Sequence, residues 1–222
     1  MRRLGIIGAS GHGKVIADIA LRMGYDDIFF FDDNTQKKMC GDYSVVGKCE
    51  EIFDYIGKSE VFVAIGNASV RQKILGNLIN RGSEVATLIH PNAVIGAGVQ
   101  IGIGSAVMAG AVLNPECRIG VGGIVNTCAS VDHDCCIGDY VHVSVGAHVA
   151  GTVTIGNGTW IGAGAIVNNN LYITDSCMIG AGAVVINNIV ERGTYVGVPA
   201  RKLSMKKVEK NGQSETWGGN PS

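Results

Sequence analysis

From Ile95 to Val185 an aliphatic side chain recurs at every sixth position without a slip, through Ile101, Val107, Leu113, Ile119, Val125, Val131, Ile137 and onward to Ile179. Two residues before each stands another small or aliphatic residue, among them Ala93, Ala111, Cys117, Ala129, Cys135, Ala147 and Cys177. Glycine often follows the branched position directly, as at Gly96, Gly102, Gly120, Gly138 and Gly156. A period of six predicts the hexapeptide coil of a parallel β-helix, with the branched and small positions facing inward. Three hexads close one triangular coil, so the sixteen hexads predict slightly more than five coils. At the usual sheet spacing that is a prism about 25 Å tall.

A different pattern precedes the hexads. Leu4–Ile7, Ile28–Phe31 and Val61–Ile65 are apolar runs of strand length, and Val85–Ile89 reads as a fourth strand. Between them, Val15, Ile16, Ile19, Ala20 and Met23 carry helical spacing, as do Val70, Ile74, Leu75, Leu78 and Ile79. Ser69 is the expected N-cap of the second helix. Strands alternating with helices imply parallel βαβ units, a small Rossmann-like sheet. His90-Pro91 marks the hand-over, since the residue before proline is pushed to extended geometry. The expected organisation is an α/β Rossmann-like domain over 1–90, a parallel β-helix over 91–203, and a polar, aperiodic tail over 204–222 expected to be disordered.

Composition narrows the class. The chain has 222 residues and a formal charge of −1, which gives no basis for a nucleic-acid or anionic-membrane partner. No apolar run approaches the roughly 20 residues a bilayer span requires. The first residues are too short and too glycine-punctuated for a secretory signal, and seven cysteines lack framework spacing, so a reduced, cytoplasmic protein is expected. Cys117, Cys135 and Cys177 fall on small inward positions and read as core fillers.

Two motifs can carry chemistry. Gly8-Ala9-Ser10-Gly11-His12-Gly13 lies between a strand and a helix, where glycines admit close backbone approach and the helix N-terminus favours a phosphate. Its spacing is GxxGxG rather than the dinucleotide GxGxxG, and the bland alternative is a tight turn without a ligand. Asp32, Asp33 and Asn67 follow other strands, the edge where open α/β sheets bind ligands, and a nucleotide-bearing ligand is the expectation. The second motif is Asp132-His133-Asp134. Val131 faces inward, so His133 falls on a corner, where a carboxylate beside an imidazole suits a general base. The alternative is an exposed turn histidine without a role. His142 and His148 are six apart and so lie on successive faces rather than one above the other. No metal site is therefore expected, although zinc ligands converging across a subunit boundary are an alternative.

In combination, Gly8–Gly13, Asp32-Asp33, Ala64-Ile65-Gly66-Asn67, Asn126-Thr127, His133-Asp134, His142–Ala147 and Gly197-Val198-Pro199-Ala200 resemble the sialic-acid O-acetyltransferase family of hexapeptide-repeat sugar acetyltransferases. Within it, the chain is most similar to enzymes that N-acetylate UDP-4-amino sugars. The resemblance implies a left-handed β-helix, a homotrimer and acetyl-CoA as co-substrate. It implies His133 as general base and Asp134 as the acid orienting it, where such enzymes often have Glu. It places the nucleotide sugar against Ser10, Gly11, His12, Asp32, Asp33, Asn67 and Asn126. Acetyl-CoA is placed along His142, Gly151, Ala163 and Ala181, with Arg201 or Lys202 near its phosphates and the Gly151 N–H as an oxyanion donor. O-acetylation of sialic acid or a related sugar is the alternative reaction, and a non-catalytic nucleotide-sugar-binding scaffold the alternative class.

Overall fold

A computed structural model describes residues 1–203; the tail expected to be disordered lies outside the described residues. The first unit comprises β1 (Arg3–Ile7), α1 (Gly11–Arg22), β2 (Asp27–Phe31), β3 (Met39–Cys40), β4 (Tyr43–Gly47), a 3₁₀ turn (Cys49–Tyr55), β5 (Glu60–Val63) and α2 (Ala68–Asn80). Its sheet runs β3-β4-β2-β1-β5, parallel except for β3. The chain steps outward from β1 to β2 and β4, then returns to β5 on the other side of β1. That reversal is the switch point beside which open α/β sheets form their crevice, at the carboxyl ends of the strands. Gly8 sits there at φ +106, a conformation costly for a residue with a Cβ, and a Cβ on Gly13 would strike the Gly8 carbonyl and the Phe30 ring.

The expected fourth strand is divided between the two units. Val85 makes a single bridge to Val61 of the sheet, whereas Leu88–Ile89 pairs with Ala106–Val107 as the first rung of the β-helix. The second helix is also capped differently from expectation. Asn67 is the N-cap, accepting from the Val70 N–H at 3.1 Å, while Ser69 donates its hydroxyl to Asn67 Oδ1 at 2.8 Å.

Two-residue strands then recur every six residues on three faces. The first face carries Ala106, Ile124, His142, Trp160 and Met178 outward; the second carries Val112, Ser130, His148 and Ile166; the third carries Arg118, Cys136, Thr154 and Tyr172. The adjacent inward residues stack at a spacing of eighteen, as in Ile119–Ile137–Ile155–Ile173, and are buried together with Cys117, Cys135 and Cys177. Each corner turns on one residue in the left-handed region, again every sixth: Glu116, Gly122, Cys128, Asp134, Tyr140, Gly146, Thr152 and onward.

The two units share apolar cores. Ile16, Ile19 and Ala20 of α1 meet Ala106, Met108 and Ile124 of the first face, while Leu75 of α2 packs near Val121 and Tyr140 at the corner between the third and first faces. The first unit is thus seated against the first face and that corner.

The inward column dominates β-helix stability. Ile155→Ala, at a site 1% exposed, is expected to cost about 2–5 kcal/mol in chemical denaturation. Thr154→Ala, on the outer surface beside it, is expected to stay within about 0.5 kcal/mol of wild type.

Candidate active site

His133 and Asp134 occupy the corner between the second and third faces, and both are exposed. In an extended strand, neighbouring side chains point to opposite sides. Asp134 instead has φ +58, the left-handed turn of the corner, which aspartate tolerates better than most residues. That turn brings its carboxylate onto the preceding ring, with Asp134 Oδ2 2.7 Å from His133 Nδ1. The Nδ1–H therefore donates to the carboxylate and Nε2 is left as the basic nitrogen. Asp132 supports the corner by accepting from the His133 N–H at 2.8 Å and from Asn114 Nδ2 at 2.7 Å. The hydrogen bond that His133 donates to Asp134 raises its pKa, outweighing slight desolvation, and the charges of Asp132 and Asp134 add to the rise.

One coil further on lies Gly151. A Cβ there would stand 2.6 Å from His133 Nε2, so the absence of a side chain is what lets the ring lie across this residue. The Gly151 N–H has no acceptor among the described residues.

A second cluster forms where the first unit meets the first face. Ser10 is the N-cap of α1 without a side-chain hydrogen bond, and Gly11 and His12 open the helix. Asp32 is occupied within the fold: Oδ2 accepts from the Ala9 N–H at 2.9 Å and from Lys37 Nζ at 3.0 Å, and Oδ1 from the Asn34 N–H at 2.9 Å. Burial opposes its charge, but the Asn34 amide, the Lys37 ammonium and the Ala9 amide together hold the carboxyl below its usual range. Asp33 accepts from the Cys49 N–H at 3.0 Å. These residues and Asn67 do share the carboxyl edge of the sheet, with Asp32 acting largely to shape the loop.

His142 is buried on the first face, its ring 4.3 Å from that of Trp160, with Nε2 3.0 Å from Asn126 Nδ2. Asn126 also accepts from the Thr127 N–H, so its amide donates to the imidazole and the ring hydrogen of His142 resides on Nδ1. Burial, then His12 and Arg71, push the His142 pKa down to about 3; burial and Arg71 push that of His12 down to about 4. Both rings are neutral at pH 7.

Ala163 and Ala181 are exposed one above the other at the corner between the first and second faces. They and His133 therefore bracket the second face from its two sides and do not meet within one chain. Arg201 is exposed in the closing hairpin, its guanidinium bonded among the described residues to the Ala200 carbonyl, whereas Lys202 is committed to Glu191 at 2.8 Å. Among the described residues no cluster of three metal-ligating side chains occurs. A groove runs along the third face past Arg118, Thr154 and Tyr172 and holds none of the expected site residues.

Sequence reading missed Arg71 and Trp160. Arg71 is fully buried on the same face of α2 as Leu75 and Leu78, while Val70 and Ile79 of the expected stripe are about 40% exposed. Its spacing of four and seven from those leucines was the available signal.

A nucleotide-type α/β sheet seated on a hexapeptide β-helix with a corner His–Asp pair defines a class of acyltransferase-like proteins. Residues 3–78 match the PglD N-terminal domain, and residues 152–187 the bacterial transferase hexapeptide of six repeats. The acetyltransferase domain of PglB from Neisseria gonorrhoeae, solved with acetyl coenzyme A, is 39% identical with TM-score 0.87, over 91% of this chain and 99% of that one. A variant of perosamine N-acetyltransferase from Caulobacter crescentus, solved with CoA and GDP-perosamine, is 32% identical with TM-score 0.88, over 92% and 98%. UDP-N-acetylbacillosamine N-acetyltransferase of Bacillus subtilis is 34% identical over 116 residues, 49% of this chain and 52% of the relative. The chain thus spans about half the length of that curated relative. The chain belongs to the family of hexapeptide-repeat sugar N-acetyltransferases that these proteins represent, and its fold is a Rossmann-like domain followed by a left-handed parallel β-helix.

The depressed histidines predict acid sensitivity. Below the ordinary imidazole value the unfolded chain binds protons that the folded chain refuses. Stability is then lost as pH falls from about 6.5 to about 4 through His12, and on to about 3 through His142. By the end of its range His12 is expected to remove about 3 kcal/mol and His142 about 5 kcal/mol. Denaturant midpoints measured from pH 7 to 3 check this, and His142→Gln is expected to flatten the fall.

Proposed function

We propose that the chain is an acetyl-CoA-dependent N-acetyltransferase acting on the amino group of a nucleotide-linked 4-amino sugar, in the first instance a UDP-4-amino-4,6-dideoxy sugar. The observation that carries the reading is the His133–Asp134 pair, with Nδ1 tied to the carboxylate and Nε2 lying against Gly151. The relatives reported above, acetyltransferases solved with acetyl coenzyme A or with CoA and a nucleotide sugar, support it.

His133 Nε2 takes a proton as the sugar nitrogen attacks the thioester carbonyl, and Asp134 stabilises the imidazolium that forms. The Gly151 N–H stabilises the developing oxyanion. Thiolate is a good leaving group, so no acyl-enzyme is needed, and Cys135, buried in the core, is out of reach as a nucleophile. The sugar nucleotide lies at the sheet edge by Ser10, Gly11, His12, Asp33 and Asn67, with its amino sugar directed toward Asn126.

A homotrimer fits the placement of the remaining residues. His133 and Gly151 stand on one border of the second face, and Ala163 and Ala181 on the other. Acetyl-CoA touching both sets bridges two copies, His133 coming from one protomer and the alanine corner from its neighbour.

His133→Ala is expected to lower turnover by about 10²–10⁴-fold, with nucleotide-sugar binding nearly unchanged. Thiol release from acetyl-CoA, measured against UDP- and GDP-linked 4-amino sugars and sialic acids, checks the substrate class. Near wild-type turnover in the variant would sink the mechanism, and release with sialic acids alone would replace the N-acetyl reading by O-acetylation.

The raised pKa of His133 sets the pH profile. The base form accumulates only above the ordinary imidazole value, so kcat/KM is expected to rise with pH through a midpoint above 6.5. Asp134→Asn is expected to move that midpoint downward and to lower the plateau. An unmoved midpoint would show that another group titrates.

A further inference from the structure

Arg71 is a cation sealed between the two units, and among the described residues no carboxylate bonds to it. Its side chain is fully buried, and burial pushes its pKa down to about 10, which leaves it charged at neutral pH. Nη1 donates to the Ile65 and Gly66 carbonyls, each at 2.7 Å; Nε donates to the Gly122 carbonyl at 2.8 Å and Nη2 to the Tyr140 carbonyl at 2.8 Å. The first two acceptors lie in the loop that leaves β5 and leads into Asn67. The other two are equivalent corner positions on successive coils of the β-helix.

Helix packing does not ask for such a group. Arg71 shares its face of α2 with Leu75 and Leu78, and an apolar residue there would avoid desolvating a charge. What the guanidinium adds is geometry, because its rigid planar fork meets four carbonyls from both units at once. We propose that Arg71 is a positioning residue that fixes the Ile65–Asn67 loop, and with it the nucleotide-sugar edge of the sheet, against the β-helix face carrying Asn126 and His142. The inference rests on the nucleotide-sugar reading above. It is reinforced by the influence of this charge on both His12 and His142, which lie on the two sides of the junction.

The test compares R71Q and R71K with L78A, which removes a buried side chain of the first unit's own core. R71Q is expected to raise KM for the nucleotide sugar at least tenfold, with KM for acetyl-CoA changed less than twofold. R71K, which keeps the charge but offers a compact ammonium, is expected to fall between R71Q and wild type. L78A is expected to lower Tm without separating the two KM values. The same KM pattern in R71Q and L78A, or a parallel rise of both KM values in R71Q, would overturn the proposal. Ring-proton titration of His12 and His142 needs only folded protein, and both midpoints are expected to rise in R71Q. Should the wild type transfer no acetyl group, the activity reading fails by itself. Unmoved histidine midpoints in R71Q would then overturn the positioning role.

Discussion

Vertical stacking of one branched side chain on its equivalent eighteen residues later is the constraint on which the rest of this molecule depends. The column Ile119–Ile137–Ile155–Ile173 can close only if every coil has the same length, so each strand is two residues and each corner four. A uniform coil puts one left-handed residue at each turn from Gly98 to Gly182. Most substitutions at such positions are strained, and glycine, asparagine and aspartate are the residues least penalised there. The His133–Asp134 pair uses this geometry. Asp134 occupies a position the fold already requires to be left-handed, and that backbone turn carries its carboxylate onto His133. Architecture and chemistry therefore share a single local conformation.

The junction between the two units follows a different physical rule. Its two apolar contacts, through α1 and α2, exclude water around Arg71 and His142, with His12 partly buried beside them. In such a setting an imidazole resists protonation, and a cation held by carbonyls acts on its neighbours with little screening. The exposed corner behaves oppositely, since there a carboxylate in hydrogen-bond contact favours the imidazolium. One chain thus holds histidines shifted in opposite directions: a corner ring biased toward accepting a proton and junction rings kept neutral.

Much of this was legible in the chain itself. The six-residue period, the inward cysteines and the corner position of His133 all come from spacing along a regular coil, where local sequence dictates local geometry. Legibility ended where distant segments meet. Val85–Ile89 has the composition of one strand, yet Leu88–Ile89 finds better hydrogen-bond partners in Ala106–Val107 and opens the β-helix. Ser69 and Asn67 are both good caps, and the backbone entry to α2 selected Asn67. Asp32 reads as a ligand carboxylate, whereas the fold spends most of its acceptors on Ala9, Asn34 and Lys37.

By itself the sequence determined the coil, its inward and outward positions and the adjacency of His133 to Asp134, because repetition and nearest-neighbour chemistry need no information from elsewhere in the chain. Only the tertiary structure decided that Arg71 is a buried clamp, that His142 lies under the first unit beside Trp160, and that His133 and the alanine corner border opposite sides of one face. Those facts depend on which surfaces of two separately patterned units come together. Contacts between segments as far apart as Arg71 and Tyr140 are set by shape and carbonyl geometry that no short-range period records.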